Sequence, residues 1–321
     1  MRNSRKWVTF GILSLILFTV SVFSYKRSNQ RTKNLPEIEP GQIHQSDRGD
    51  SNNLNDRSFH DFDGQKAYQH ILDQIDFGYR LPGSLASENT AIYIKEHLES
   101  YGWIIEFQEF FYNGVLIRNV IAFNRKTNPD VLFGAHYDTR SISDQEVDSE
   151  NYHTPVTGAN DGASGTAVLL EMGRNLYNSD KNIWLVFFDA EDQGNIGGWN
   201  WSVGAQYFVD NIEFRPDNVI IIDMVGDKDQ NIYIEKNSDK RLCDQIWNAA
   251  QKIGLGEYFF NQEKYSLTDD HIPFIENGIP ACLLIDFDYP YWHTLHDTPD
   301  KVSADSLQKV GDTLMQWLLD H

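Results

Sequence analysis

The chain has 321 residues, 40% of them hydrophobic and 13% aromatic, and a formal net charge of −20. That length and apolar content suit one large α/β domain or two small ones with a sizeable core. The charge argues against a nucleic-acid partner, since phosphate binding needs basic patches. It suits solubility and draws cationic groups such as peptide N-termini.

In chain order, a basic start (Arg2, Arg5, Lys6) leads into an apolar run over residues 7–23 with no charge inside. The run exceeds the usual signal-peptide core of about 7 to 15 residues and falls just short of the roughly 20 of a bilayer span. Val22 and Ser24 are small enough to permit cleavage after Ser24, and Lys26, Arg27, Arg31 and Lys33 place positive charge on the far side as well. Residues 1–27 therefore read as a signal or anchor segment of an exported protein, either tethered to the membrane by this helix or secreted. Residues 28–58 are rich in Ser, Asn, Gln, Asp and Arg, with Pro36 and Pro40, and read as a disordered linker. The folded domain is expected over 59–321.

Within that domain, Ala67, Ile71 and Ile75 form the stripe of a helix over 64–76. Ala91, Ile94 and Leu98 form that of a second over 87–101, closed by Gly102. Residues 103–112 and 115–124 read as strands paired about Asn113-Gly114, a hairpin signal. The runs 131–135, 183–188, 219–223 and 281–285 are short and continuously apolar, as in strands covered on both faces. Helices are expected between and after them at 164–176, 203–209, 241–253 and 304–320. The fold class is α/β: a three-layer α/β/α sandwich with a mixed, mostly parallel central sheet and an antiparallel hairpin edge. Cys243 falls in a helical pattern and Cys282 in an apolar strand. With no CxxC and no cysteine framework, two buried free thiols are expected, a single disulfide being the alternative.

Ligand-type residues recur at the ends of these strands. His136 follows one apolar run, Glu191 and Asp192 another, and Asp223 closes a third, while Asp161 and His293 lie in other segments. In open α/β sheets, sites gather outside the carboxyl ends of the strands, so residues far apart in sequence meet there. Mixed carboxylate and imidazole ligation suits Zn²⁺, and a catalytic zinc keeps three protein ligands and one open position. Asp161, Asp192 and His293 are the expected three. A turn after the strand would let Asp192 bind metal while Glu191 faces the substrate as general acid/base. Asp138 reads equally as a partner orienting His136 or as a plain loop charge. His153, His271 and His296 read as hydrogen-bonded structural histidines. Gly162-Ala163-Ser164-Gly165 falls one residue short of a nucleophile elbow, and Ser164 is expected to cap the following helix.

Phe133-Gly-Ala-His-Tyr-Asp-Thr139, Gly158-Ala-Asn-Asp-Gly-Ala-Ser-Gly165, Phe187-Phe-Asp-Ala-Glu-Asp192, Ile222-Asp-Met224 and Trp292-His-Thr294 together resemble the M28 zinc-peptidase family, in the family's order. Within it, Asp269-Asp270-His271-Ile272-Pro273-Phe274, Trp292 before His293, and Glu191-Asp192 in place of Glu-Glu resemble the glutaminyl-peptide cyclotransferases. The resemblance implies zinc on Asp161, Asp192 and His293, and Glu191 as proton shuttle. It also implies a hydrogen-bonded acidic pair of Asp223 and Asp269, and a pocket lined by Trp292 with Trp199 or Trp201. Residues 287–291 do not align cleanly with the cyclase pocket and carry no assigned role. The implied activity is cyclisation of N-terminal glutamine of peptides to pyroglutamate, with release of ammonia. The alternative is a two-zinc aminopeptidase that adds His136 and Asp223 as ligands of a second metal. A tethered binding domain with a dead site fits poorly, because every ligand position holds a competent residue.

Overall fold

The computed structural model describes residues 62–321. The expected signal or anchor segment and linker, and the first residues of the expected domain, lie outside the described residues. Among the described residues no helix is long and apolar enough to cross a membrane.

Helix α1 (Gly64–Asp76) starts where the Asp63 carboxylate accepts from the amides of Gln65 and Lys66. It buries Ala67, His70, Ile71 and Gln74 along one stripe. Helix α2 (Leu85–Ser100) is capped by Ser84 and followed by strands β1 (Ile104–Tyr112) and β2 (Val115–Phe123). Asn113 and Gly114, with φ of 48° and 80°, make the two-residue turn between them. Positive φ at both positions matches the right-handed twist of the strands. Then follow β3 (Val131–His136), α3 (Ala163–Leu176), β4 (Ile183–Phe188), α4 (Val203–Asn211) and β5 (Val219–Asp223). The chain closes with β6 (Ile232–Ile234), α5 (Lys240–Lys252), β7 (Phe259–Glu263), α6 (Ile272–Glu276), β8 (Ala281–Ile285) and α7 (Ala304–Asp320).

Six strands form one sheet in the order β1-β2-β4-β3-β5-β8. β1, β2 and β4 pair antiparallel in turn, and β4, β3, β5 and β8 pair parallel. Each apolar run divides its side chains between two covered faces. In β4, Ile183, Leu185 and Phe187 join the core with α1, α2, α3, α5 and α7, while Trp184, Val186 and Phe188 join the core with α4 and α6. The three-layer mixed sandwich is thus as expected. The short parallel pair β6–β7 and the one-turn helix α6 have no counterpart in the sequence reading. Three residues of strand and five of helix, with Pro273 inside, carry too little periodicity to register.

Cys243 and Cys282 are not free thiols. They form a disulfide across a sequence separation of 39, tying α5 to β8 beneath the buried face of the sheet. The helical and strand patterns were correct individually, but only the packing of α5 on β8 brings the two sulfurs together. Closing a loop of this length removes roughly 3–4 kcal/mol of unfolded-chain entropy in the chain-entropy picture. Replacing both cysteines by serine is expected to lower unfolding stability by about 2–4 kcal/mol, read as a reduced urea midpoint. A midpoint unaltered by the double replacement would show that the cross-link does not stabilise the fold.

Candidate metal centre and active site

All the expected ligand positions converge at the carboxyl ends of the parallel strands. His136 is the last residue of β3 and Asp223 the last of β5. Glu191 and Asp192 follow β4 after a turn at Ala190, whose φ is 60°. Met224 after β5 and His293 also take positive φ, 44° and 54°. Such left-handed residues are costly and concentrate where the chain must aim a side chain. Asp161 lies just before α3. Gly162 there has φ 90° and faces the Asp138 carbonyl and the His136 ring so closely that a Cβ would collide with them. Gly165, one turn on, lies against the Ile222 carbonyl. The glycines of this motif therefore let α3 seat directly on the ends of β3 and β5. Ser164 does not cap the helix, because Gly162 holds that position. Ser164 instead donates to the Asn160 carbonyl and accepts from the Val225 amide, tying helix start to strand end.

Two groups of possible metal donors result, Asp161–Asp192–His293 and His136–Asp161–Asp223, each with its donor atoms within 4.8 Å of one another. Asp161 belongs to both. Its Oδ1 lies 3.2 Å from His136 Nε2, and its Oδ2 lies 3.5 Å from His293 Nε2. His293 Nε2 is 3.0 Å from Asp192 Oδ1, and His136 Nε2 is 3.1 Å from Asp223 Oδ1. Asp161 Oδ2 is buried with no hydrogen-bond partner, an orphan acceptor facing an imidazole and a second carboxylate. Such an atom is costly without a cation. Oxygen and imidazole donors of this kind suit zinc, so the residues fit the metal the motifs imply.

The charge balance points the same way. Glu191, Asp192, Asp161, Asp223 and Asp269 crowd two imidazoles, all buried. Burial, then the charge of Asp269, pushes the Glu191 carboxyl well above the usual range. Burial, then Asp161, raises Asp192 to about 6, and burial, then Asp223, raises Asp269 to about 7. Burial alone would lower His293, yet the Asp192 charge and the hydrogen bonds to Asp144 and Asp192 lift it to about 9.

Supporting contacts fix these groups, and the sequence reading missed most of them. Asp144, in the loop after β3, accepts from His293 Nδ1 at 3.0 Å and from Arg140 at both oxygens. Arg140 also donates to the Asp192 carbonyl. Asp297 accepts from the amides of Asn160 and Asp161 and from the Tyr289 hydroxyl. Neither Asp144 nor Asp297 sits at a strand end or in one of the ligand motifs. Asp138 takes the orienting role. It is fully buried, faces His136 Nδ1 at 3.3 Å, and accepts from the amides of Glu191 and Asp192. His271 is a structural histidine, held at 3.0 Å by Glu235, which also accepts from the Leu267 amide. His153 and His296 are exposed, and their rings lie against those of Tyr152 and Tyr291.

A pocket of about 250 Å³ opens over Asp161, Asp192 and His293. Glu191, Asp223 and Asp269 lie in its wall, and Trp201, Trp292, Phe287 and Leu267 enclose it. The expected alternatives separate here. Trp201 lines the pocket, whereas Trp199 packs against Tyr112 in a small cluster beneath the hairpin. Phe287 does line the pocket, although its segment carries no assigned role at the sequence level. Its aromatic residues lie in an irregular loop, where spacing along the chain does not say which of them faces the pocket.

Two expectations follow from the supports. Asp144→Asn is expected to weaken zinc binding about 10–100-fold by loosening the His293 imidazole, measured by chelator competition. Unchanged affinity would remove Asp144 from the metal's support. Asp286, buried at the end of β8, accepts from the amides of Asn231 and Asp288 and starts the loop that carries Phe287, Trp292 and His293. Burial, then the charge of Asp227, raises its carboxyl to about 7. The folded state thus holds a proton that the unfolded chain gives up near pH ~4, so this group's contribution to stability falls as pH rises from about 4 to about 7 and is level above. Asp286→Asn is expected to remove a slope of up to about 1.4 kcal/mol per pH unit in that window, seen in urea unfolding across pH. An identical pH profile in the variant would refute the assignment.

Residues 119–318 match peptidase family M28. The chain superposes on the Porphyromonas gingivalis glutaminyl cyclase with a TM-score of 0.77 and 32% identity, covering 81% of this chain and 98% of that one. A Zn-dependent exopeptidase from Parabacteroides distasonis gives 0.77 and 29%, covering 82% and 100%. Aminopeptidase YwaD of Bacillus subtilis is 32% identical over 218 residues, 61% of this chain but only 42% of its own length. With the fold, the donor groups and the family match in agreement, the chain belongs to peptidase family M28 and is a zinc-dependent enzyme of that family.

Proposed function

We propose that the protein is a glutaminyl-peptide cyclotransferase that converts the N-terminal glutamine of peptides to pyroglutamate. The observation that carries this reading is the pocket. It has room for one side chain, is walled by Trp201, Trp292 and Phe287, and turns Glu191 and Asp269 toward its occupant above the Asp161–Asp192–His293 donors. A flat aromatic enclosure suits a glutamine side chain folded back on its own amine. The likeness to a glutaminyl cyclase across nearly that protein's whole length supports it.

In this reading Asp161, Asp192 and His293 hold zinc, which when bound polarises the side-chain amide carbonyl as a Lewis acid. The substrate's α-amino nitrogen bonds to the amide carbon, the bond from that carbon to the amide nitrogen breaks, and ammonia leaves. No water is consumed. Glu191 takes a proton from the amine and returns it to the departing nitrogen. Ser202 Oγ, 3.3 Å from Glu191 Oε1, and the Asp138 carboxylate on the Glu191 amide hold that side chain in place. Asp223 and Asp269 act as an acidic pair beside the substrate amine and share a proton, because like charges so near ionise separately. Trp292 and Trp201 exclude water from the reacting atoms.

The second reading, a two-zinc aminopeptidase, is favoured by one observation: His136, Asp161 and Asp223 form a second donor group. Two metals held there would supply an activated water, and Glu191 would act as the base for its attack on the first peptide bond. The buried disulfide supports an oxidising compartment and so agrees with export by residues 1–27.

The test joins metal content to product. One zinc per chain and ammonia from Gln-initiated peptides are expected. Two zincs with free amino acid released from Leu-initiated peptides would overturn the cyclase. Glu191→Gln is expected to lower kcat by at least about 10²-fold while zinc stays bound. Loss of zinc instead would make Glu191 a ligand and reverse its role with Asp192.

A further inference from the structure

A second groove, of about 300 Å³, lies beside the reaction pocket and shares Trp201 with it as a common wall. It is built from the hairpin edge of the sheet and from α4. The Phe110 ring stacks on Tyr207 with centroids 3.8 Å apart and planes 6° from parallel. Tyr112 and Val203 complete the apolar side, and Gln206 and Asp210 form the rim. Of the side chains lining it, Asp210 alone is charged.

Trp201 is a rigid partition between the two spaces. Its ring lies flat on Gly194, where any Cβ would collide with it. The Arg140 guanidinium sits 4.8 Å from the ring centroid, and the His293 ring is nearly parallel to it, 13° off, at 6.1 Å. A peptide whose first residue fills the reaction pocket must continue past one of that pocket's walls. At Trp201 it meets a preformed aromatic slot of about the same size as the pocket it has left.

We infer that this groove binds the residues that follow the first residue of the substrate peptide, and selects an aromatic side chain within the next two positions. The inference rests on the reading of the site as one for peptide N-termini and deepens it. Continuity with the reaction pocket through Trp201 favours the substrate chain over a separate partner protein. The chemistry of the slot favours a flat apolar side chain, which stacks on the Phe110–Tyr207 pair. Asp210 at the rim, on a chain of net charge −20, favours a neighbouring cation and disfavours a carboxylate.

The experiment compares kcat/KM on the full chain for Gln-Phe-Ala-amide, Gln-Ala-Phe-amide and Gln-Ala-Ala-amide, followed by ammonia release. One aromatic peptide is expected to exceed the alanine peptide by about tenfold, mostly through KM. In Tyr207→Ala that ratio is expected to fall to about one, a readout insensitive to the amount of folded enzyme. Asp210→Lys, on the exposed rim, is expected to keep the aromatic preference and to reverse the ranking of Gln-Phe-Lys-amide over Gln-Phe-Glu-amide. Equal kcat/KM on all three peptides in the unaltered protein would overturn the inference, as would a Tyr207→Ala protein that keeps its aromatic ratio. If no Gln peptide releases ammonia while Leu-initiated peptides are cleaved, the cyclase reading falls. The same comparison with Leu-Phe-Ala-amide, Leu-Ala-Phe-amide and Leu-Ala-Ala-amide then decides the groove by itself.

Discussion

Everything in the site depends on keeping like charges buried together. Asp161 stands between two imidazoles, with Asp192, Asp223, Glu191 and Asp269 around it, and its Oδ2 has no hydrogen-bond partner. Isolated buried carboxylates are among the most costly groups in a protein interior. The His136 and His293 imidazoles and the Arg140 guanidinium oppose that charge, and two further carboxylates fix the backbone that carries it. Asp138 anchors the turn after β4 and Asp297 anchors the start of α3. A divalent cation completes the balance, so zinc binding and the order of this end of the sheet are physically linked.

The same constraint explains the backbone. Five segments must deliver donors to one place without burying unpaired amides of their own. Left-handed residues at Ala190, Met224 and His293 redirect the chain abruptly after strands β4 and β5 and at the end of the loop from β8. Gly162 and Gly165 let α3 approach so closely that its first turn meets His136 and Ile222. The strain is concentrated at the carboxyl edge, while the parallel strands behind it are regular and covered on both faces. That division of labour lets the loops vary in what they present while the sheet keeps the donors in register.

The parts of the site that were legible in sequence are those attached to strand ends. His136, Glu191, Asp192 and Asp223 follow continuous apolar runs, and a carboxylate or imidazole directly after such a run has few bland explanations when it recurs. Asp161 and His293 lie away from strand ends and were marked by residue type as well as by the family motifs. Asp144, Asp297 and Arg140 gave no signal, since each lies in a loop and acts only through a residue distant in sequence. Trp199 and Trp201 were indistinguishable for a related reason. Two residues apart in an irregular loop, one faces the hairpin and the other faces the metal donors, and only packing against Gly194 and Arg140 decides which.

The sequence by itself determined the layered α/β class, the order of its main elements and the carboxylates and imidazoles that stand as candidate metal donors. These depend on local patterns: apolar runs, helical stripes, turn residues, and ligand types next to them. Only the tertiary structure decided that Cys243 meets Cys282, that Phe287 reaches the reaction pocket, and that Phe110, Tyr207 and Trp201 share a groove. Those facts depend on crossings between elements tens of residues apart. No pattern along the chain encodes such crossings, because they arise from how the helices and loops pack on a sheet that the local patterns have already built.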